Sequence, residues 1–239
     1  MFNKHPKGLI AAALANLGER FGFYTMMAIL VLFLQAKFGM NGKEAGFIYS
    51  TFYFSIYILA LVGGIIADKT RNYKGTIFTG IVLMAVGYLL LAIPSKTPVD
   101  NKMLYLVITC ASLFVIAFGN GLFKGNLQAL VGQMYDNPQY ANMRDSGFSL
   151  FYMFINIGAI FAPFAAVGVR NWWLSTFGYN YDADLPALCH GQLAGTLSPE
   201  ATETYHTLVT KASTAPVQDY TAFASDYLNV FTTGFHYAF

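Results

Sequence analysis

Five long apolar stretches constrain the fold of this chain more than any other feature of its sequence. They cover about residues 9–35, 46–67, 76–93, 103–132 and 146–169. An α-helix rises about 1.5 Å per residue, so about 20 apolar residues are enough to cross the hydrocarbon core of a bilayer. Within that core a helix satisfies its own backbone hydrogen bonds. The sequence therefore predicts an all-α transmembrane protein.

The amino-acid composition argues against several other classes of protein. Hydrophobic residues make up 56% of the chain and charged residues only 11%, too few to cover the surface of a water-soluble protein. The net charge is +2 and the basic residues are scattered, so nucleic acid is not an expected partner. The four histidines lie near the N-terminus, in residues 170–230 or at the start of the last helix, and they do not have metal-ligand spacing. We therefore expect no metal, no cofactor and no enzymatic activity.

Two full charges, Glu19 and Arg20, lie in the middle of the first apolar stretch. A charge at the centre of a bilayer costs about 2.5–3.5 kcal/mol, so such residues normally face a polar cavity or a partner. Asn16 and Phe23 share one helical face with them. We expect a polar face on an otherwise apolar helix. A simpler interpretation is a Glu–Arg couple that only helps two helices to pack.

The fourth apolar stretch contains a lysine. Asn120, Lys124 and Gln128 recur every four residues and share a helical face. A lysine in lipid needs a counter-charge, and Glu19 is the only acidic residue predicted deep in a span. We therefore predict a Glu19–Lys124 ion pair. The alternative is that Lys124 extends its ammonium group to the lipid headgroups.

These stretches resemble the proton-dependent oligopeptide transporter family (POT/PTR), a branch of the major facilitator superfamily. Residues 16–24 are similar to its Glu-x-x-Glu-Arg-Phe-x-Tyr-Tyr signature, with Asn16 and Phe23 replacing the first Glu and the first Tyr. Residues 119–126 are similar to Gly-Asn-Gly-x-x-Lys-Pro-Asn, with Gly125 replacing the proline. Residues 151–158 match Phe-Tyr-x-x-Ile-Asn-x-Gly without a departure. The resemblance implies an N-terminal six-helix bundle of a major facilitator fold.

The resemblance also implies roles for individual residues. Arg20 is expected to bind the carboxylate of a short peptide, and Tyr24 and Asn156 its polar backbone. Tyr57 stands where the family commonly has a tyrosine that faces the substrate. Glu19 and Lys124 are expected to couple transport to protons, with a proton gradient as the driving force. Our hypothesis is a switch in which protonation of Glu19 frees Lys124 and lets the helices part. Asn16 cannot titrate, so one proton carrier of the family signature is missing.

A second resemblance lies between the second and third stretches. Gly63 and Gly64 are followed by Asp68 and Lys69, as in the loop between the second and third helices across the major facilitator superfamily. Small residues allow two helices to approach closely, and an Asp with nearby basic residues is expected to clamp their ends. The alternative is an ordinary positively charged loop.

The predicted organisation has three parts. Residues 1–169 hold transmembrane helices 1–5, residues 170–230 form an extracytoplasmic insert, and residues 231–239 begin helix 6. Ser198-Pro199-Glu200 predicts a helix start, with the helix running to about residue 213, and a second helix is expected after Pro216. Five spans are thus complete and the sixth only begun, so we expect a missing C-terminal half. Basic residues do not decide the orientation. The resemblance places the protein in the inner membrane with a cytoplasmic N-terminus.

The predicted function is import of di- and tripeptides with protons by alternating access, across the lipid bilayer. Two alternatives stay open. The loss of the first Glu fits a uniporter or a carrier of another small solute such as nitrate. The chain also fits a non-transporting membrane scaffold that docks a partner through residues 170–230.

Overall fold

The computed structural model describes residues 4–239. Within them five long helices follow one another: α1 (Gly8–Phe38), α2 (Gly42–Thr70), α3 (Tyr73–Ala92), α4 (Lys102–Met134) and α5 (Arg144–Thr176). A 3-10 turn, Ala141–Met143, precedes α5, and the shorter helices α6 (Leu185–Ala194), α7 (Pro199–Ala212) and α8 (Tyr220–Ala238) follow it. The first five are long and apolar enough to cross a membrane. The prediction of an all-α chain with five membrane-length helices is confirmed.

Two predicted boundaries lie inside helices. α5 continues to Thr176, past residue 169, because the charge of Arg170 is accommodated by a ring from the segment that follows the helix: its guanidinium lies 3.4 Å from the centroid of the Tyr181 ring. α8 begins at Tyr220, well before residue 231, because Asp219 caps it. The Asp219 carboxylate accepts hydrogen bonds from the first backbone N–H groups of α8 at 2.8 and 2.9 Å.

The chain forms two compact units, and each of the five long helices contributes to both. Unit 1 contains the residues up to Thr25, Ser50–Leu90 and Cys110–Pro163. Unit 2 contains Met26–Tyr49, Leu91–Thr109 and Phe164–Phe239. The units therefore divide the helices along their length, whereas the predicted parts divide the chain at residues 169 and 230.

In unit 1, α4 packs closely against α2 and α3 because glycines remove side chains at both crossings. A Cβ atom on Gly63 of α2 would overlap the carbonyl oxygen of Gly121. A Cβ atom on Gly80 of α3 would lie 2.6 Å from the carbonyl oxygen of Gly119. The Asn126 amide donates a hydrogen bond to the carbonyl oxygen of Gly63 at 3.0 Å. These contacts hold the polar segment of α4 against its neighbours.

In unit 2, α8 packs against the C-terminal ends of α1 and α3. The His236 ring donates from Nδ1 to the carbonyl oxygen of Leu91 at 2.5 Å, and the Asn229 side chain accepts from the backbone N–H of Thr97 at 3.0 Å. The Phe33 ring of α1 contacts the rings of Phe235, His236 and Phe239 edge to face. Three helices thus meet around one aromatic cluster.

Both helices predicted after residue 198 are confirmed. α7 starts at Pro199, and the Ser198 hydroxyl accepts from the backbone N–H of Ala201 at 3.2 Å. α8 buries three aromatic residues that recur every four positions, Phe223, Tyr227 and Phe231. The helix α6 was missed, although a proline in its first turn and the left-handed Gly195 (φ 66°) after its last residue are ordinary helix signals.

His190 attaches α6 to the end of α1. Its Nε2 donates to the carbonyl oxygen of Ala36 at 2.8 Å, one of the carbonyls that the end of α1 leaves without a partner in the helix. Gly39 follows α1 with φ 59°, and a Cβ atom there would lie 3.2 Å from the imidazole. Burial lowers the pKa of His190 below its ordinary value, and the nearby Lys102 acts in the same direction.

We expect acid to weaken this attachment. Because the folded-state pKa of His190 lies below its unfolded value, the unfolded chain binds the proton more readily as the pH falls through about 6.5. Lowering the pH from 7 to 5 should therefore lower the protection factors of the α6 amides, which compare each observed exchange rate with the intrinsic rate at the same pH. His190→Gln keeps a donor that does not titrate and should remove this pH dependence. The matched control is His206→Gln, which should leave the pH dependence in place: His206 lies on α7, and its ring stacks on that of Tyr220 at the start of α8.

Candidate functional site

The two charges of α1 form an ion pair with each other. The Arg20 guanidinium donates through Nε to Glu19 Oε2 and through Nη2 to Glu19 Oε1, the second bond being 2.6 Å long. Both side chains are about nineteen-twentieths buried, at 6% and 5% exposure. Adjacent residues on a helix do not normally face each other, so the pair depends on the reach of both side chains. A bidentate pair of this kind occupies two of the five N–H donors of Arg20.

Asn120 on α4 is a further partner of Glu19. Its Nδ2 donates to Glu19 Oε1 at 2.5 Å, and the residue is fully buried. Gly119 and Gly121 on either side of it are the glycines at which α4 approaches α3 and α2. The helix crossings therefore bring this amide to the carboxylate.

The predicted Glu19–Lys124 ion pair is wrong. Within residues 4–239, no nitrogen–oxygen distance of 4.0 Å or less joins these two side chains. Glu19 instead takes Arg20 and Asn120 as partners, and Lys124 acts on it only at longer range. The half-buried Lys124 directs its ammonium group at the ring of Tyr57, 5.7 Å from the centroid.

The other predicted peptide-binding residues also lie in unit 1, and they differ in how exposed their side chains are. Tyr24 lies beside Arg20, whose guanidinium is 5.8 Å from the centroid of its ring. Tyr57 is 52% exposed, and its hydroxyl donates to the hydroxyl of Tyr53 at 2.9 Å. Asn156 is exposed on α5, two residues before the glycine at which α5 crosses α1. The geometry thus gathers Glu19, Arg20, Tyr24, Tyr57 and Lys124, whereas Asn156 contributes an accessible amide.

Two residues beside this group were missed. Tyr53 is four residues before Tyr57, so the helical period was a signal for it. Tyr88 on α3 has a buried hydroxyl without a hydrogen-bond partner among the described residues, as do Asn16 Nδ2 and Asn120 Oδ1. Tyr88 could not be found in this way, because the residues around it come from other helices and the sequence does not show which helices are adjacent.

The loop motif between α2 and α3 is only partly as expected. Gly63 allows the close approach of α4, but a Cβ atom on Gly64 would have nothing within 4 Å. Asp68 accepts a hydrogen bond from the Tyr73 hydroxyl at 2.5 Å, and within the described chain no ion pair joins it to a basic residue. Lys69 is exposed. The predicted charge clamp is therefore wrong, and a tyrosine takes the place of the basic partner.

Comparisons with known proteins give one consistent family. The sequence model described as "POT family" matches residues 74–189. The peptide transporter YePEPT of Yersinia enterocolitica subsp. palearctica serotype O:3 (strain YE-P4) is 34% identical over 185 residues, covering 75% of this chain and 34% of that protein. Dipeptide and tripeptide permease A of Enterobacter sp. (strain 638) is 34% identical over 179 residues, covering 74% of this chain and 32% of that protein.

A solved structure is similar in the same way. The crystal structure of a glutamate-to-glutamine mutant of the peptide transporter POT, in complex with sulfate, matches with a TM-score of 0.62 and 28% identity. The match covers 88% of this chain and 45% of that one. The chain thus spans about a third of the length of the curated relatives and under half of the solved structure.

Proposed function

Because the chain belongs to the POT family, we propose that it forms the N-terminal six-helix bundle of a transporter that imports di- and tripeptides together with protons. The names of the two curated relatives support this substrate class. Its five membrane-length helices make it an integral membrane protein. We place it in the inner membrane with a cytoplasmic N-terminus and residues 170–230 outside. A second helical bundle would complete it, and the two would rock around the bound peptide.

The observation that carries this proposal is the charge balance of the site. Arg20 and Lys124 each contribute one positive charge and Glu19 one negative charge, which leaves an excess of one positive charge in a membrane-spanning unit. Such a charge is expensive in lipid unless an anion balances it. The carboxylate of a short peptide supplies one negative charge and two acceptor oxygens.

The ion pair of α1 suggests how proton and peptide are linked. Glu19 occupies the Nε and Nη2 donors of Arg20, which are the donors that a peptide carboxylate would use. Protonation of Glu19 removes the competing anion and frees Arg20. This differs from the sequence-based hypothesis, in which protonation frees Lys124. Since Asn16 cannot titrate, Glu19 is the proton carrier in this proposal.

The remaining residues are assigned to the peptide and to the charge balance. Tyr24 and Tyr57 carry hydroxyls, and Asn156 an amide, that can bond the polar backbone of a peptide. Lys124 attracts the peptide carboxylate towards Arg20 and stays in contact with the Tyr57 ring. The proton gradient is the driving force in this scheme.

The test is uptake of labelled dialanine by liposomes that contain the complete protein. An inward acid gradient should drive accumulation, and Arg20→Lys should lower it about tenfold to hundredfold, because lysine cannot form the bidentate pair. Arg144→Lys, at an exposed position, is the matched control and should leave uptake unchanged. Inhibition of transport by nitrate and not by dipeptides would move the proposal to a small-anion carrier. If the protein takes up no solute at all, the remaining proposal is a non-transporting membrane scaffold that docks a partner through residues 170–230.

A further inference from the structure

On α3 and α4, in the unit that holds Glu19, two buried polar atoms have no hydrogen-bond partner among the described residues. They are the hydroxyl oxygen of Tyr88 and the amide oxygen Oδ1 of Asn120. The other end of the same amide, Nδ2, donates to Glu19. Buried polar atoms without a partner destabilise a fold and are rare in native proteins. The two atoms on the helices that pack beside Glu19 therefore require an explanation.

Tyr88 belongs to the surroundings of Glu19 by its place on α3. Met84, one helical turn earlier on the same face, has its sulfur 4.0 Å from Asn120 Nδ2. Tyr88 packs against the same apolar cluster as Met84 and Phe123, and the charges of Glu19 and Arg20 act on it. Its hydroxyl is thus a polar atom in an apolar region of unit 1, one helical turn along α3 from the methionine that contacts Asn120.

A protonated carboxyl group would use both atoms. It offers one O–H donor and one carbonyl acceptor, whereas a carboxylate only accepts. Asn120 Oδ1 is an acceptor and the Tyr88 hydroxyl is a donor, so the two are complementary to the acid form. We propose that Tyr88 and Asn120 form the pocket that receives Glu19 once it is protonated. This inference rests on the proposed role of Glu19 in proton coupling.

The step involves one proton and no other covalent change. A proton from the aqueous phase forms an O–H bond on Glu19. The Asn120 amide turns, so that Oδ1 accepts from this O–H group, and the Tyr88 hydroxyl donates to the Glu19 carbonyl oxygen. Arg20 then loses its anionic partner and is free to bind a peptide carboxylate.

The groups that face Glu19 make the exchange specific. The cations are Arg20 from α1 and Lys124 from α4. The uncharged groups are Asn120 from α4, which donates to Glu19, and Tyr88 from α3, one turn beyond the methionine that contacts Asn120. α5 meets this part of α1 through Gly158, which adds no titratable group. Charged Glu19 has Arg20 and the Asn120 N–H as partners, and only the acid form has a use for the Tyr88 hydroxyl and Asn120 Oδ1 together.

Infrared difference spectroscopy on the complete protein tests the pocket directly. Acidification should produce a carboxylic-acid carbonyl band that is absent in Glu19→Gln, which assigns it to Glu19. In Tyr88→Phe this band should move to higher frequency, because its carbonyl loses a hydrogen bond. Tyr135→Phe is the matched control, since Tyr135 packs in the same apolar cluster and bonds His5, and it should leave the band in place.

Stability and transport give a second readout. Tyr88→Phe should not lower the melting temperature, because the Tyr88 hydroxyl has no hydrogen-bond partner within residues 4–239, whereas Tyr135→Phe removes a bond to His5 and should lower it. Acid-driven dialanine uptake should fall about tenfold in Tyr88→Phe only. A Glu19 band that Tyr88→Phe does not move, or the absence of any Glu19 band, would overturn the pocket. If the wild-type protein shows no acid-driven uptake, the proposed function is overturned. The shift of the Glu19 band in Tyr88→Phe would still show whether the pocket exists.

Discussion

Replacement of Glu19 by glutamine should abolish the accumulation of dialanine under a proton gradient, while exchange of dialanine between the two sides of the membrane continues. Glutamine resembles the protonated acid in shape but takes up and releases no proton. It also carries no charge, so the peptide carboxylate no longer competes for the Nε and Nη2 donors of Arg20. Binding of the peptide should become independent of pH.

The same variant should also be less stable without substrate. Removing one partner of a buried ion pair leaves the other charge uncompensated, which destabilises a protein by about 3–5 kcal/mol. Dialanine restores an anion beside Arg20, so it should raise the melting temperature more in Glu19→Gln than in the wild type. Glu44→Gln is the matched control because Glu44 is exposed at the start of α2. Unchanged acid-driven accumulation in Glu19→Gln would show that Glu19 is not the proton carrier.

Replacement of Gly63 by alanine should destabilise the protein strongly, whereas the same change at Gly64 should not. A Cβ atom on Gly63 would overlap the carbonyl oxygen of Gly121, so α2 and α4 would have to separate. Overpacking a close contact typically costs about 1–3 kcal/mol, and here the obstacle is backbone that cannot rotate away. Separation would also weaken the hydrogen bond between Asn126 and the Gly63 carbonyl.

Gly64→Ala provides the matched control one residue away. A Cβ atom there has open space, and alanine is favoured over glycine in a helix by about 1 kcal/mol, so the melting temperature should rise or stay the same. The measurement is thermal unfolding of both variants in detergent. Equal melting temperatures for the two would show that the α2–α4 crossing is looser than the structure describes it.

Most of the helices could be predicted, because the signals for a helix lie within its own stretch of sequence. The length of an apolar stretch decides whether it can span a bilayer, and a serine–proline start predicts a helix wherever it occurs, as for α7. Charges inside such stretches pointed to Glu19, Arg20 and Lys124 because lipid tolerates few charges. The continuation of α5 past Arg170 was missed because the charge of Arg170 is accommodated by the ring of Tyr181, which lies beyond the end of the helix and folds back onto it.

The sequence by itself determined that this chain is an all-α membrane protein, that its polar residues concentrate on α1 and α4, and which family it resembles. Only the tertiary structure decided that Glu19 pairs with Arg20 and Asn120, that Lys124 faces the Tyr57 ring, and that the hydroxyl of Tyr88 lies buried nearby. The reason is that burial in lipid depends on composition along one helix, whereas the partner of a carboxylate depends on how closely helices cross. That distance is set at a few glycine contacts between residues far apart in the sequence.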